Sequence, residues 1–227
     1  MAGLLEQLLS LGTAGALMIS TALTHAAPQN DAGGLLFLQN RHWRVSAQYE
    51  PELSKADVPG QLQEMRADAA RALEAMYADC KAATGVQLVA VSGYRSYQRQ
   101  ATIYENKVKS VGSRAKADKY VARAGASEHQ LGLAMDVGQQ KNDLKASFGR
   151  TKGGKWVAEH CWEYGFILRY RADWEDVTGY GDEPWHFRYV GLEHARRIRE
   201  MDMPLETYLL LLRQDTLMDI VLGEMTE

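Results

Sequence analysis

The chain has 227 residues, of which 46% are apolar and 24% charged, with a formal net charge of −3. Such a length and apolar fraction suit one generous domain or two small ones, and the balance leaves no basic excess for nucleic acid or an anionic membrane surface. Two cysteines, Cys80 and Cys161, are too few for a disulfide scaffold and form no CxxC pair, so one bridge or two buried thiols are both open.

The first thirty residues carry an apolar run from Leu8 to Leu23, followed by Ala26, Ala27 and Pro28. That order resembles the core and cleavage region of a secretory signal. Glu6 stands where a positive charge belongs, and no Lys or Arg precedes Arg41. The run is short and Gly-interrupted for a membrane helix. The expectation for residues 1–30 is an export leader, cleaved or kept as an anchor, with membrane contact through this segment only; an amphipathic or disordered leader is the alternative.

After a Gly/Asn/Asp-rich break at residues 29–34, LLFLQNRHWRVSAQYEPEL reads as a short strand and an extended arm. Residues 60–85 form the clearest helix: Leu62, Met65, Ala69, Leu73, Met76 and Cys80 recur at three- and four-residue steps, and Gly85 stops it. That stripe makes Cys80 core rather than reagent. VQLVAVS is a buried strand, and Ser96 opens a helix through YQRQATIYENKV. SRAKADKYVARAG predicts a second, more polar helix, and ASEHQLGLAMDVG a loop entering a strand. KWVAEHCWEYGF is helical, FILRY and PWHFRYV are strands, and RADWEDVTGYGDE is the loop between them. GLEHARRIREMD and MPLETYLLLLRQ are closing helices, with Pro204 suited to a first turn. Leu217, Ile220 and Val221 suggest a further short amphipathic helix in the tail. Helices and strands do not alternate strictly, so the expected class is α+β: a central antiparallel sheet faced by helices, in one domain over residues 34–227.

Chemistry gathers around two of the six histidines. His25, His42 and His194 read as structural or solvated, and the pair His160-Cys161 has no second pair in step with it. In EHQLGLAMDV, by contrast, Asp136 ends an apolar run, where a carboxylate is costly unless paired or bound to a cation. His129, seven residues earlier, reaches the same point if the chain folds back, and His186 can add a third ligand from a neighbouring strand. Two imidazoles and one carboxylate leave a fourth position for water, as in catalytic zinc sites. Spacing alone is a weak signal and favours a buried Asp satisfied by a backbone N–H. Glu183, three residues before His186, is either a base for bound water or an ordinary surface acid.

Three segments in order, SGYRSYQRQ (92–100), SEHQLGLAMDV (127–137) and EPWHFRYVG (183–191), resemble the signatures of the VanY-type D-alanyl-D-alanine carboxypeptidases, zinc enzymes of bacterial cell-wall metabolism whose fold is similar to the peptidase-like domain of hedgehog proteins. The likeness runs over roughly residues 34–210. It implies zinc held by His129, Asp136 and His186, with Glu183 as the catalytic base. It implies that Arg95 binds the terminal carboxylate or the carbonyl oxygen that gains charge, against the alternative of an arginine that caps its turn. It also implies peptide contacts for Gln100 and Ser127, against an exposed glutamine and a loop-capping serine. Trp185 is expected as pocket wall or core, and Asp182, placed on a strand, is expected to point away from Glu183.

The expected activity is removal of a C-terminal D-alanine from peptidoglycan stem peptides in the bacterial cell envelope. Variants on the same substrate are an L,D-carboxypeptidase or an endopeptidase. From another class, a zinc-holding binding module would keep the metal and lose the base.

Overall fold

The computed structural model describes residues 31–139 and 144–224, with side chains through residue 216. The expected leader, and the side chains of the expected tail helix, therefore lie outside the described residues. Two compact units divide the chain: Leu38–Glu206, and the terminal segments that end at Phe37 and begin at Thr207. The sheet and every candidate site residue belong to Leu38–Glu206.

In that unit, β1 (Ser54–Lys55) and β2 (Glu64–Met65) form a short antiparallel ribbon. A four-stranded sheet follows, built from β3 (Val89–Ser92), β4 (Ala134–Gly138), β5 (Phe166–Leu168) and β6 (His186–Tyr189). Its order is β3-β4-β6-β5 and each neighbouring pair is antiparallel, so the expected α+β class with a central antiparallel sheet is the one observed. All five residues of β4 are buried, which fits an interior strand covered on both faces.

Helix α1 (Ala67–Thr84) buries Ala69, Leu73, Met76 and Cys80 on one stripe, and Gly85 closes it in the left-handed conformation at φ 73°. The stripe continues back to Leu62, but the helix does not. Leu62 has a positive φ, and the carbonyls of Leu62 and Glu64 accept the N–H groups of Gly93 and Tyr94 at 2.7 and 2.8 Å. Those crossing bonds hold the segment extended. A Cβ on Gly93 would lie 2.5 Å from the Glu64 carbonyl, so only glycine fits at this turn.

Helix α2 (Tyr97–Val111) starts where its cap predicts: Ser96 accepts the Arg99 N–H at 3.2 Å. The second polar helix is confined to one turn, Arg114–Ala117. Asp118 ends it, because its carboxylate is held by the Tyr104 hydroxyl at 2.8 Å and by a two-pronged Arg123 at 2.8 and 2.7 Å. Helix α3 (Lys152–His160) tightens into a 3-10 turn at Cys161–Tyr164. Helix α4 (Leu192–Met201) packs on that turn and on β5. The last helix, α5 (Leu205–Glu224), runs unbroken where two helices were expected. The expected opening strand is absent among residues 35–53, which adopt turns and extended chain. Cys80 and Cys161 are buried free thiols. No described helix is long and apolar enough to cross a membrane.

Candidate active site

Sheet register assembles most of the site. Asp136 on β4 stands opposite His186 on β6 and, across a bulge, opposite Ser92 on β3. His129 comes from a 3-10 turn, Glu128–Leu131, and Gly132, at φ 68°, swings the chain from that turn into β4. The seven-residue step from His129 to Asp136 is thus a turn folded back on its own strand. One ligand atom from each of His129, Asp136 and His186 lies within 4.8 Å of the others, and all three residues are buried.

The hydrogens can be assigned from the partners. His129 Nδ1 is 2.7 Å from the Gly93 carbonyl, which can only accept, so Nδ1 carries the hydrogen. Burial, helped by the Arg95 charge, lowers the His129 pKa to about 4. The ring is therefore neutral, and its Nε2 lone pair lies 3.3 Å from Asp136 Oδ1, lone pair facing lone pair, with no hydrogen-bond partner. His186 places Nδ1 3.0 Å from the same oxygen and Nε2 3.2 Å from Glu128 Oε2. Burial alone would lower its pKa, but bonds to the Asp136 and Glu128 carboxylates outweigh burial and raise it to about 9. Without metal, a proton on Nδ1 holds the acceptors together. Replacing that proton with a cation leaves His129 Nε2, Asp136 Oδ1 and His186 Nδ1 as three converging donors, a set suited to zinc.

Glu183 reaches the site through a tight turn. The His186 N–H bonds the Glu183 carbonyl at 3.0 Å across Pro184 and Trp185, with proline at the second position, where its fixed φ suits such turns. The turn folds the Glu183 carboxylate back to 3.9 Å from His186 Nδ1. Burial raises its pKa to about 7, so it accepts and releases protons near neutrality. The strand begins only at His186, and this corrects the placement of Asp182: it sits on the loop before the turn and lines the same cavity as Glu183. Trp185 is a wall of that cavity, which measures about 670 Å³.

Arg95 also lines the cavity, and all three of its nitrogens have protein partners: Nε donates to Ser92 Oγ at 3.0 Å, Nη1 to Gln100 Oε1 at 3.1 Å and Nη2 to Asp136 Oδ2 at 2.8 Å. Gln100 is buried rather than exposed, and its amide nitrogen donates to the Ala122 carbonyl at 2.7 Å. Ser127 lines the cavity and makes no capping bond with its side chain. His160 lies apart from this group, stacked on Trp156 and bonded to Glu163.

Three charged residues went unremarked in the sequence. Glu128, Arg169 and Arg188 are almost completely buried, and both arginines donate to Glu128 Oε1 at 2.9 Å. The signal was present: FILRY sets Arg169 at the end of an apolar run and FRYV sets Arg188 between aromatic residues, and a buried charge requires a partner.

The antiparallel sheet thus gathers a buried His/Asp/His cluster that could hold a metal ion, beside a glutamate. Residues 62–192, more than half of the chain, match the family described as VanY, D-alanyl-D-alanine carboxypeptidase. The chain belongs to that family. The YodJ protein of Bacillus subtilis (strain 168) is 44% identical over 183 residues, 77% of this chain and 66% of YodJ. A D-alanyl-D-alanine carboxypeptidase of Enterococcus faecalis (strain ATCC 700802 / V583) is 37% identical over 77% of this chain and 65% of its own length. The chain thus spans slightly under two thirds of both relatives. Among solved structures, the LdcB LD-carboxypeptidase aligns at a TM-score of 0.71 with 42% identity, over 80% of this chain and 86% of that one. The vancomycin resistance D,D-pentapeptidase VanY, solved in complex with Zn(II), aligns at 0.66 with 34% identity, over 77% of this chain and 98% of that one.

Proposed function

We propose that the protein is a zinc-dependent carboxypeptidase that removes a C-terminal D-alanine from peptidoglycan stem peptides. The observation that carries this reading is the convergence of three lone pairs, on His129 Nε2, Asp136 Oδ1 and His186 Nδ1, beside the Glu183 carboxylate at the base of one cavity. Zinc held by those atoms would supply a Lewis acid and make water acidic enough to attack at neutral pH. Glu183 takes the proton from the attacking water and returns it to the leaving amine, a role that suits a carboxylate with a pKa of about 7. Arg95, braced by Gln100 and Ser92, keeps Asp136 in place through Nη2. Its terminal nitrogens carry further hydrogens that can bind the peptide carboxylate or the carbonyl oxygen as charge develops. Ser127 on the cavity wall contacts the peptide. The presence of Glu183 favours an enzyme over a zinc-holding module.

A second reading, an L,D-carboxypeptidase that trims the tetrapeptide stem, is supported by the 42% identity to LdcB. Export or anchoring through residues 1–30 would bring the protein to this substrate in the cell envelope. The test is mass spectrometry of muropeptides incubated with the protein, with and without a chelator. Chelator-sensitive loss of one alanine from pentapeptide is the expected result. Loss from tetrapeptide alone would select the second reading, and no change in a zinc-loaded protein would overturn both.

A further inference from the structure

Glu128 has no assigned part in the chemistry, yet it occupies the best-protected position near the site. Its side chain is 0% exposed. Its two oxygens are used differently: Oε1 accepts both Arg169 Nε and Arg188 Nη1 at 2.9 Å, whereas Oε2 lies 3.2 Å from His186 Nε2. The arginines thereby aim the carboxylate and leave one oxygen for the imidazole. Arg169 is itself fixed, because Nη1 and Nη2 donate to the two oxygens of Glu206 at 2.9 and 2.6 Å. Strand geometry builds this bracket. Arg188 lies two residues beyond His186 on β6, and the Arg169 N–H bonds the His186 carbonyl at 3.2 Å as the chain leaves β5.

From this arrangement we infer that Glu128 is the positioning residue of the metal centre: by accepting the Nε2–H of His186 it selects the tautomer that presents Nδ1 as the ligand atom and fixes the ring plane. The inference rests on the metal reading above. Two carboxylates, Glu128 and Glu206, face two guanidiniums, Arg169 and Arg188, so these charges balance without a positive imidazole. Glu128 meets the ring at Nε2, so its bond leaves Nδ1 on the side of Asp136 and His129. Because Glu128 shares a 3-10 turn with His129, one short turn supplies one ligand and orients the other. A metal-bound histidine held in this way by a carboxylate binds more tightly, and loss of such a partner typically costs about 10–100-fold in metal affinity.

The test measures zinc affinity of the full chain by chelator competition, for wild type, Glu128→Gln and Glu206→Gln. It is joined by long-range proton–nitrogen NMR of the His186 ring in the zinc-loaded wild type. Glu206→Gln is the matched control: the same chemical change on the same Arg169, without contact to His186. The expected results are a wild-type His186 with its hydrogen on Nε2, about 10–100-fold weaker zinc binding in Glu128→Gln, and an effect below about threefold in Glu206→Gln. Equal weakening in both variants, no weakening in Glu128→Gln, or a His186 hydrogen on Nδ1 in the zinc-loaded protein would overturn the inference. If Glu128→Gln fails to fold, the wild-type NMR result decides. A wild-type chain that takes up no zinc would overturn the metal reading as well, which separates the two failures.

Discussion

His129 and His186 are the same residue in opposite settings. His129 hangs from a 3-10 turn and gives its Nδ1 hydrogen to a backbone carbonyl; burial, with the Arg95 charge, depresses its pKa to about 4. His186 stands on a strand between two carboxylates, which override burial and lift its pKa to about 9. Both rings lie beside the Asp136 carboxylate, but His186 has a second carboxylate, Glu128, on its other nitrogen where His129 has only the Gly93 carbonyl, and that difference separates the two. At neutral pH the His129 ring is neutral, and the His186 ring carries both protons.

Removing either ligand is the strongest way to test this pairing. His129→Ala and His186→Ala are each expected to abolish stoichiometric zinc uptake, read by metal analysis after dialysis; a His129→Ala protein that still holds one zinc would remove that residue from the ligand set. Glu183→Gln is expected to keep the zinc and lower kcat by about 10²–10⁴, the usual worth of a general base. Full activity in that variant, measured on stem peptide, would end the assignment of Glu183.

Acidity sharpens the comparison. Zinc held as proposed would displace the His186 proton, so its apparent affinity is expected to fall about tenfold for each pH unit below about 9. In the metal-free chain the two rings act in opposite directions. The raised His186 stabilises the fold fully below the ordinary imidazole pKa of 6.5, and that contribution is lost as pH rises through about 9. The depressed His129 contributes above 6.5 and loses its share as pH falls through about 4. Each arm is on the order of 3 kcal/mol at 1.36 kcal/mol per pKa unit. Urea midpoints across pH 4–10, compared with the zinc-loaded protein, would show both arms, and a flat metal-free profile would contradict both settings.

Local rules written into short stretches carried over well into three dimensions. The α1 stripe and its Gly85 stop, the Ser96 cap and the buried AMDV strand each depend on neighbours within a turn or two, and each forms as expected. Where a local reading failed, a distant partner had intervened. Main-chain bonds from Gly93 and Tyr94 hold residues 62–65 out of the helix that their apolar spacing suggests. Tyr104 and Arg123 hold Asp118 and stop the polar helix after one turn. Asp182 was assigned to a strand, but the turn through Pro184 delays β6 until His186 and leaves Asp182 on the cavity wall.

The sequence by itself determined which donors exist and in what order: His129, Asp136, Glu183 and His186, framed by signatures that residue type and spacing suffice to display. Only the tertiary structure decided which atom of each donor faces the others. That choice depends on the hydrogen on each ring, and the hydrogens are set by Gly93, 36 residues before His129, and by Glu128, 58 residues before His186. Sequence spacing carries no record of such partners. The sheet brings them within hydrogen-bond reach, and burial makes an unmatched lone pair or charge too costly to leave there.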